Sequence, residues 1–295
     1  VIKDICEELS TELNHRSPKS TGLTYAPWGL RNTLIHGGSV NTLVRGGELR
    51  TVHDSNKLVL TWYHILKNDP CVAALSLLAK RLEFLHTASS LTRDKLLGLG
   101  FPAEKLILIP ESVDRRIFFP LSREKRDTLR SVLGLPQGKM IIGSFQKDGM
   151  GWGDGMEAKL IKGPDVFCDV VEQLAKQFPI HVLLTGPARG YVKERLTKAN
   201  IPFTHAEVDD VKKIGQYYQA LDLYIVASRE EGGPKAILES IASGVPLVTT
   251  DVGMARDVIR HGENGYLVPV EDREALVQYS SNILADANLS QRIVV

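Results

Sequence analysis

Length, composition and charge narrow the class of protein. The chain has 295 residues, which is long for one ordinary domain and fits two domains of roughly 120–170 residues each. Apolar residues make up 43% of the sequence, enough for a core in each half, and the charged residues nearly cancel to a net charge of +1. This balance does not indicate a nucleic acid as the main partner.

Localisation is predicted from apolar runs and cysteines. No apolar run approaches the roughly 18 residues of a membrane span, and no signal peptide is recognisable. Cys6, Cys71 and Cys168 lie among apolar residues without metal-ligand spacing, so we expect reduced thiols in a core. The sequence predicts a water-soluble cytoplasmic protein, with room for peripheral membrane contact.

The first half of the chain shows weak patterning. Apolar residues at helical spacing predict an amphipathic helix over residues 1–13. The segment Ser17–Glu48 is rich in Gly, Ser, Thr and Asn, and we interpret it as a mobile active-site loop. The other candidates are strands Thr24–Ala26, Lys57–Tyr63, Glu83–Thr87 and Lys105–Ile109 and helices Pro70–Arg81 and Ser90–Leu99.

The two halves are predicted to meet in a linker. Pro110–Pro120 has the composition of a connection, and the charged stretch Leu121–Gln137 follows as a connecting helix. We therefore predict a first domain over residues 1–118 and a second over residues 119–295.

The second half alternates apolar runs with helical patterns. Its predicted strands are Met140–Phe145, His181–Thr185, Leu221–Ala227, Pro246–Thr250 and Tyr266–Val268. Its predicted helices are Asp165–Phe178, Gly190–Ala199, Val211–Ala220, Pro234–Ser243 and Ala255–His261. Strands that are apolar on both faces and alternate with helices predict a Rossmann-like domain with a covered parallel sheet. Such sheets bind ligands at the carboxyl ends of their strands.

The loop after one of these strands carries the clearest chemistry. It reads Ser228-Arg-Glu-Glu-Gly-Gly-Pro-Lys-Ala-Ile-Leu-Glu-Ser240. Gly232 and Gly233 let the backbone turn tightly and approach a ligand, and Pro234 suits the first position of a helix. The free N–H groups and the positive dipole end of that helix would attract an anion such as a diphosphate.

Two carboxylates, Glu231 and Glu239, stand eight residues apart in this stretch and would accept hydrogen bonds from two sets of hydroxyls on one sugar nucleotide. Here the sequence resembles the family-4 retaining glycosyltransferases of the GT-B fold, whose signature is Glu, seven residues, then Glu. The resemblance is carried by Glu231–Glu239, by the following stretch to Gly253, by His261-Gly-Glu-Asn-Gly-Tyr-Leu-Val-Pro269, by Ile109-Pro-Glu-Ser-Val-Asp-Arg-Arg-Ile-Phe118 and by Lys162-Gly-Pro-Asp165.

The resemblance implies a role for each matching residue. Glu239 would bind the ribose hydroxyls, Glu231 the donor sugar and Lys162 the diphosphate. Where the family has an Arg after a Gly, Gly143-Ser-Phe-Gln-Lys147 offers Lys147, and Asp148–Leu160 looks inserted before Lys162. Lys147 would also bind the diphosphate, as a compact charge without the fork of an Arg.

Further residues complete the implied active site. His64 follows an apolar strand and would face the donor sugar, while Gly37 and Gly38 match a loop that approaches the phosphates. No strand is recognisable before these glycines, so we expect an abbreviated N-terminal domain. The full predicted donor-binding set is Glu239, Gly232, Gly233, Pro234, Lys235, Gly143, Val208, Gly37 and Gly38, and the catalytic set is Glu231, Lys162, Lys147 and His64.

Each residue also has a purely structural explanation. Glu231 and Glu239 would then be a helix-capping carboxylate and a solvated helix position, and His64 a satisfied core histidine. Lys147 and Lys162 would be ordinary loop lysines, and the glycines at 37 and 38 a plain turn.

The predicted reaction is transfer of a hexose from a nucleotide-diphosphate sugar to a hydroxyl acceptor, with retention of configuration. We expect two Rossmann-like domains facing each other across a cleft, with no metal and no other cofactor, because lysines and helix N–H groups would stabilise the departing diphosphate. The acceptor would be a saccharide, lipid-linked or small molecule. Front-face attack and double displacement both remain open.

Two other functions fit the same fold. One is a nucleotide-sugar epimerase or a phosphorylase, the latter with a lysine-bound pyridoxal phosphate. The other is a catalytically inert nucleotide-sugar-binding module.

Overall fold

A computed structural model describes residues 2–294 of the chain, apart from the side chains of Ile2, Asp4 and Val211. Val1, where the predicted first helix begins, and Val295 lie outside the described residues.

The chain consists of two units, which divide between Pro110 and Glu111. The sequence suggested a boundary after residue 118 instead. Val113, Ile117 and Phe118 account for the difference, because they pack into a hydrophobic core of the second unit. The second unit therefore holds the C-terminal part of Pro110–Pro120, the segment that the sequence predicts as a linker.

The first unit is built on a parallel sheet with the strand order β1-β4-β5-β6. Its strands are β1 (Leu34–Gly37), β2 (Val44–Arg45), β3 (Glu48–Leu49), β4 (Lys57–Thr61), β5 (Phe84–Thr87) and β6 (Leu106–Leu108). Its helices are α1 (Ile2–Arg16), α2 (Val40–Leu43), α3 (Leu75–Arg81) and α4 (Ser90–Gly98), with 3₁₀ turns at Pro27–Gly29, Pro70–Ala74 and Ala103–Lys105. The short strands β2 and β3 form a separate antiparallel pair.

Two predictions for the first unit were wrong. Thr24–Ala26 is not a strand, because the Ala26 N–H bonds to the Thr24 hydroxyl and a 3₁₀ turn follows at once. Ser17–Glu48 is not one loop, since it contains β1, α2 and β2. The strand before Gly37, which the sequence did not reveal, is β1. It has four residues, and only alternate ones are buried, so its apolar signal is weak.

The second unit contains a six-stranded parallel sheet with the order β12-β11-β10-β7-β8-β9. Its strands are β7 (Met140–Phe145), β8 (Ile180–Thr185), β9 (Phe203–Ala206), β10 (Leu223–Val226), β11 (Leu247–Thr250) and β12 (Tyr266–Val268). Its helices are α5 (Arg123–Val132), α6 (Pro164–Leu174), α7 (Gly190–Lys198), α8 (Ile214–Gln219), α9 (Lys235–Ala242), α10 (Ala255–Val258), α11 (Arg273–Ala285) and α12 (Ala287–Arg292). Two 3₁₀ turns lie at Leu160–Lys162 and Val211–Lys213.

This sheet is covered on both faces, as the apolar runs predicted. Along β8, Val182 and Leu184 enter one core, while Leu183 enters the core on the opposite face. Every residue of β8, β10 and β11 is buried. Alternate residues of a strand point to opposite faces, so continuous apolar runs are the expected sequence of strands buried on both sides.

Gly163, between the turn Leu160–Lys162 and α6, fixes the path of one loop at the sheet edge. Its φ is 62°, and a Cβ placed there would lie 1.9 Å from the carbonyl oxygen of Ala227. We expect Gly163→Ala to lower the free energy of unfolding by at least about 2 kcal/mol, because a positive φ and a backbone collision act together.

The matched control is Gly134→Ala, since Gly134 has a φ of 66° and open space around it. That variant should lose only about 1 kcal/mol, the effect of φ alone. Urea unfolding followed by circular dichroism compares the two variants, and equal losses would show that the collision is relieved by a small loop movement.

Candidate functional site

The site lies at the carboxyl edge of the second unit's sheet, where the strand order reverses. Consecutive strands run outward from β7 to β8 and β9 on one side and from β10 to β11 and β12 on the other. The loops after β7 and β10 therefore leave the sheet at its switch point, which is where open α/β sheets bind ligands.

An ion pair joins these two loops. The Lys162 ammonium lies 2.6 Å from both carboxylate oxygens of Glu231, and the Ser228 hydroxyl donates to the same carboxylate at 2.9 Å. The side chains are only 23% and 12% exposed. The sequence predicted a role for both residues but not their contact.

Hydrogen bonds hold the loops in this position. The Arg229 N–H donates to the Ile161 carbonyl at 2.8 Å, and the Gln146 amide donates to the Lys162 carbonyl at 3.0 Å. The Arg229 guanidinium also forms a bidentate pair with Asp165 at 2.8 and 2.7 Å. These contacts hold the segment that carries Lys162 against the segment that carries Glu231.

Glu239 lies in the second turn of α9 and accepts a hydrogen bond from the Tyr218 hydroxyl at 2.9 Å. Tyr218 is fully buried and packs edge-on against Phe145. Burial raises the pKa of Glu239 above its ordinary value, although the hydrogen bond from Tyr218 and the charge of Lys235 lower it. Burial likewise raises the pKa of Glu111.

The helix α9 begins one residue later than predicted. Pro234 takes the capping position with extended backbone, Lys235 is the first helical residue, and no side chain caps this helix start. The backbone of Gly232 packs against Gly253 in the loop after β11, since a Cβ on Gly253 would lie 2.2 Å from the Gly232 carbonyl oxygen. Gly233 follows in the same turn, between Glu231 and the helix.

Lys147 lies two residues after the end of β7, at the same edge of the sheet. Its ammonium lies 3.6 Å from the centre of the Trp152 ring. Burial and the charges of Lys162 and Lys147 lower the pKa of Lys159, while Glu231 opposes them. Three lysines and one glutamate therefore share this part of the edge.

Two predicted donor-binding residues lie apart from this group. Gly143 is inside β7 and fully packed, because a Cβ there would meet Leu221 at 2.3 Å. Its small size serves the packing of the sheet. Val208 lies half-buried in the loop after β9, at the carboxyl edge of the outer strand.

The predicted residues of the first unit lie after two strands. Gly37 ends β1, and Gly38 leads into α2. A Cβ on Gly37 would meet the Thr42 hydroxyl at 2.7 Å and Leu60 at 2.8 Å, so close packing requires the glycine. His64 is in the loop beyond β4, and its carbonyl accepts a hydrogen bond from the Trp62 indole at 3.0 Å.

A polar chain in the first unit was missed from the sequence. The Thr61 hydroxyl bonds to His36 Nε2 at 2.9 Å and to His86 Nδ1 at 3.0 Å, and His86 Nε2 bonds to the Ile109 carbonyl at 2.9 Å. Because a carbonyl only accepts, neutral His86 carries its proton on Nε2, so Thr61 donates to it and accepts from His36. Burial and the nearby His86 lower the pKa of His36. Thr61 is 25 positions from His36 and 25 positions from His86 in the sequence, and the pairing of the strands brings the three residues together.

The described part of the chain, residues 2–294, contains no group of three or more His, Cys, Asp or Glu side chains arranged to hold a metal ion. None of its helices is both long and apolar enough to cross a membrane.

Comparison with solved structures identifies the fold. The Anabaena protein HepE, in a complex with UDP and glucose, superposes with a TM-score of 0.72 at 20% identity, over 88% of this chain and 71% of that one. The Staphylococcus aureus protein TarM superposes with a TM-score of 0.67 at 14% identity, over 92% and 52%. The chain has the GT-B fold, built from two Rossmann-like units.

Sequence comparison then supports a family. Residues 155–286 match the model of the family described as glycosyl transferases group 1. A lipopolysaccharide core biosynthesis mannosyltransferase, LpsB of Rhizobium meliloti, is 29% identical over 167 residues, 53% of this chain and 45% of its own length. An alpha-galactosylglucosyldiacylglycerol synthase of Streptococcus pneumoniae is 24% identical over 210 residues, 68% and 53%. The chain spans about half the length of these two relatives.

Glu239→Gln tests how much stability the protein loses by holding a half-buried carboxylate at this position. The pKa of Glu239 is raised in the folded protein, so the ionised carboxylate lowers the free energy of unfolding. This loss of stability is absent below the ordinary carboxyl pKa, and it is complete above the pKa that Glu239 has in the folded protein. Gln still accepts from Tyr218 without the charge. We expect Glu239→Gln to melt above the wild type at about pH 7, with the difference shrinking towards about pH 4.

Thermal unfolding across this pH range measures the effect, with Glu207→Gln, at an exposed loop position, as the control. A variant that melts below the wild type at about pH 7 would show that the carboxylate stabilises the fold.

Proposed function

We propose that the chain carries a retaining, metal-independent glycosyltransferase site that moves a hexose from a nucleotide-diphosphate sugar to a hydroxyl acceptor. The observation that carries the proposal is the Lys162–Glu231 pair at the point where the strand order reverses. Glu239 stands on the adjoining helix, and no side chain caps that helix start.

We assign to these residues the donor roles that the family resemblance implies. The Glu239 carboxylate accepts hydrogen bonds from the ribose hydroxyls, and Glu231 contacts the transferred sugar. Lys162 and Lys147 bind the diphosphate, helped by the free N–H groups at the start of α9. The loop around Val208 contacts the base through its backbone.

The proposed reaction depends on cations that stabilise the leaving diphosphate and uses no nucleophile from the enzyme. The bond between sugar C1 and the diphosphate oxygen breaks, and the acceptor oxygen bonds to C1 on the same face. The acceptor proton passes to the departing phosphate. Negative charge grows on the diphosphate as the bond breaks, and preorganised ammonium and N–H groups stabilise it. Glu231 is engaged by Lys162 and Ser228, which favours hydroxyl binding over nucleophilic attack.

Relatives support the substrate classes. HepE was solved with UDP-glucose, and LpsB is named as a mannosyltransferase of lipopolysaccharide core biosynthesis. A diacylglycerol-linked product appears in the name of the Streptococcus pneumoniae relative. We propose a saccharide or lipid-linked acceptor, no cofactor, and action in the cytoplasm with peripheral contact to a membrane.

Donor binding can be tested before the acceptor is known. Thermal unfolding is measured with UDP, GDP, ADP and their hexose conjugates in the presence of a metal chelator. A ligand at about a hundred times its Kd should stabilise the fold by about 2.7 kcal/mol. A shift with one base identifies the donor and supports binding without a metal, whereas no shift with any of them contradicts the proposal.

Lys162→Ala tests the catalytic role. We expect kcat to fall by about 10²–10³, because the variant lacks a preorganised cation at the leaving group. The control is Lys176→Ala, which should leave kcat unchanged. Lys176 lies two residues after the C-terminal end of α6, and its ammonium donates to Gln173. An equal rate in Lys162→Ala would contradict this role.

Product analysis separates the other functions. Nuclear magnetic resonance of the product is expected to show the anomeric configuration of the donor. Inversion would overturn the retaining mechanism. Conversion of the donor without any acceptor would indicate an epimerase, and binding without turnover across an acceptor panel would indicate an inert binding module.

A further inference from the structure

The segment between β7 and the turn Leu160–Lys162 forms a hairpin-like excursion at the donor edge. We call Asp148–Lys159 the β7 hairpin. The Met150 N–H donates to the Glu157 carbonyl at 2.8 Å, and the Lys159 N–H donates to the Asp148 carbonyl at 2.7 Å. The two arms are therefore paired, and Trp152 lies at the tip.

The base of the hairpin is anchored in the second unit. Asp148 and Arg189 form a fully buried ion pair at 2.9 Å, and Arg189 also donates to the Ser144 and Thr185 carbonyls at 2.6 and 2.7 Å. Further out, the N–H of Gly190 at the start of α7 donates to the Asp154 carbonyl at 2.6 Å. The hairpin thus has a fixed position at the sheet edge.

Close packing leaves the hairpin little freedom. A Cβ on Gly149 would meet the Ala188 carbonyl oxygen at 2.3 Å, and a Cβ on Gly155 would meet the same oxygen at 2.3 Å. Because backbone lies against backbone here, the tip is carried on a rigid base.

The tip is exposed and makes a specific contact. Trp152 is 85% exposed, and its ring face receives the Lys147 ammonium at 3.6 Å from the ring centre. Trp152 therefore gains little from burial, and the ring is in contact with Lys147. Within residues 2–294, no carboxylate forms an ion pair with Lys147, whereas Glu231 neutralises Lys162.

We infer that Trp152 is a positioning residue that holds the Lys147 ammonium ready for the diphosphate of the donor. This inference rests on the proposed function, because it assigns a partner to one of the lysines of the donor site. It also explains why the segment between Lys147 and Lys162 contains a hairpin.

Side-chain freedom gives the reason. A lysine has a flexible four-carbon stem and a point charge, without the fixed fork of an arginine. Ordering such a side chain on binding opposes affinity. A ring against one side of the ammonium orders the stem beforehand and leaves the N–H groups on the other side free to donate to phosphate.

The charge at the site matches the ligand. The charges of Lys147 and Lys162 both act on Lys159, lowering its pKa, and Glu231 neutralises Lys162. Two positive charges remain, and a diphosphate linked to a nucleoside and a sugar carries two negative charges. The ring contact keeps one of these cations in place without a carboxylate that would cancel it.

The test is a double-mutant cycle on nucleotide binding. Whichever of UDP, GDP or ADP binds the wild type is titrated by calorimetry into Trp152→Ala, Trp152→Phe, Lys147→Ala and the double variant. We expect Trp152→Ala to weaken binding roughly two- to fivefold and Trp152→Phe to restore it to within about twofold, because phenylalanine also presents a ring face. In the Lys147→Ala background, Trp152→Ala should have no further effect.

The matched control is Trp28→Ala. Trp28 carries the Arg50 guanidinium over its ring at 3.9 Å in the first unit, so it has the same type of contact away from the lysines. Its variant should bind the nucleotide like the wild type. Unchanged or tighter binding in Trp152→Ala overturns the inference, and so does a loss that persists undiminished without Lys147. Failure of the wild type to bind all three nucleotides overturns the donor proposal itself, and the inference with it.

Discussion

The ion pair between Lys162 and Glu231 connects the two loops on which the site depends. Both side chains are mostly buried, and a buried charge that loses its partner is strongly destabilising. Each residue therefore fixes the other, and the loop after β10 cannot move independently of the segment before α6. The pair also brings a carboxylate and an ammonium together at the switch point of the sheet.

The surrounding structure maintains that geometry from the outside. Arg229 is held by Asp165 and by the Leu160 carbonyl, and Gly163 gives the loop room to pass Ala227. Glu239 stands on a helix whose start has no side-chain cap, with its carboxylate partly removed from water. Features that are unfavourable for stability thus gather where a ligand would compensate for them, as is common at functional sites.

Much of the second unit follows from its sequence, for a physical reason. Strands such as β7, β8 and β11 are buried on both faces, so continuous apolar runs mark them, and the Glu-containing stretch after β10 marks the ligand edge. The sequence missed β9, whose four residues are all only half-buried, and β1, which is exposed at alternate positions. The C-terminal helices α11 and α12 also had no counterpart among the predicted elements.

The candidate site was predictable as a set of residues but not as a set of contacts. The loop after β10 suggested Glu231 and Glu239, and the family resemblance suggested Lys162, yet the partners of these residues come from elsewhere in the chain. Tyr218 is 21 residues from Glu239, and Lys162 is 69 residues from Glu231. The resemblance also suggested Gly143, and the structure adds that packing against Leu221 requires its small size. The chain of His36, Thr61 and His86 depends on strand register, which apolar patterns did not specify.

A crystal structure of the chain with the nucleotide diphosphate that it binds tests the central claim most directly. The account predicts ribose hydroxyls on the Glu239 carboxylate and phosphate oxygens on the Lys162 ammonium, at the carboxyl edge between β7 and β10. A nucleotide bound away from that edge, or bound there with Glu239 and Lys162 making no contact to it, would contradict the account.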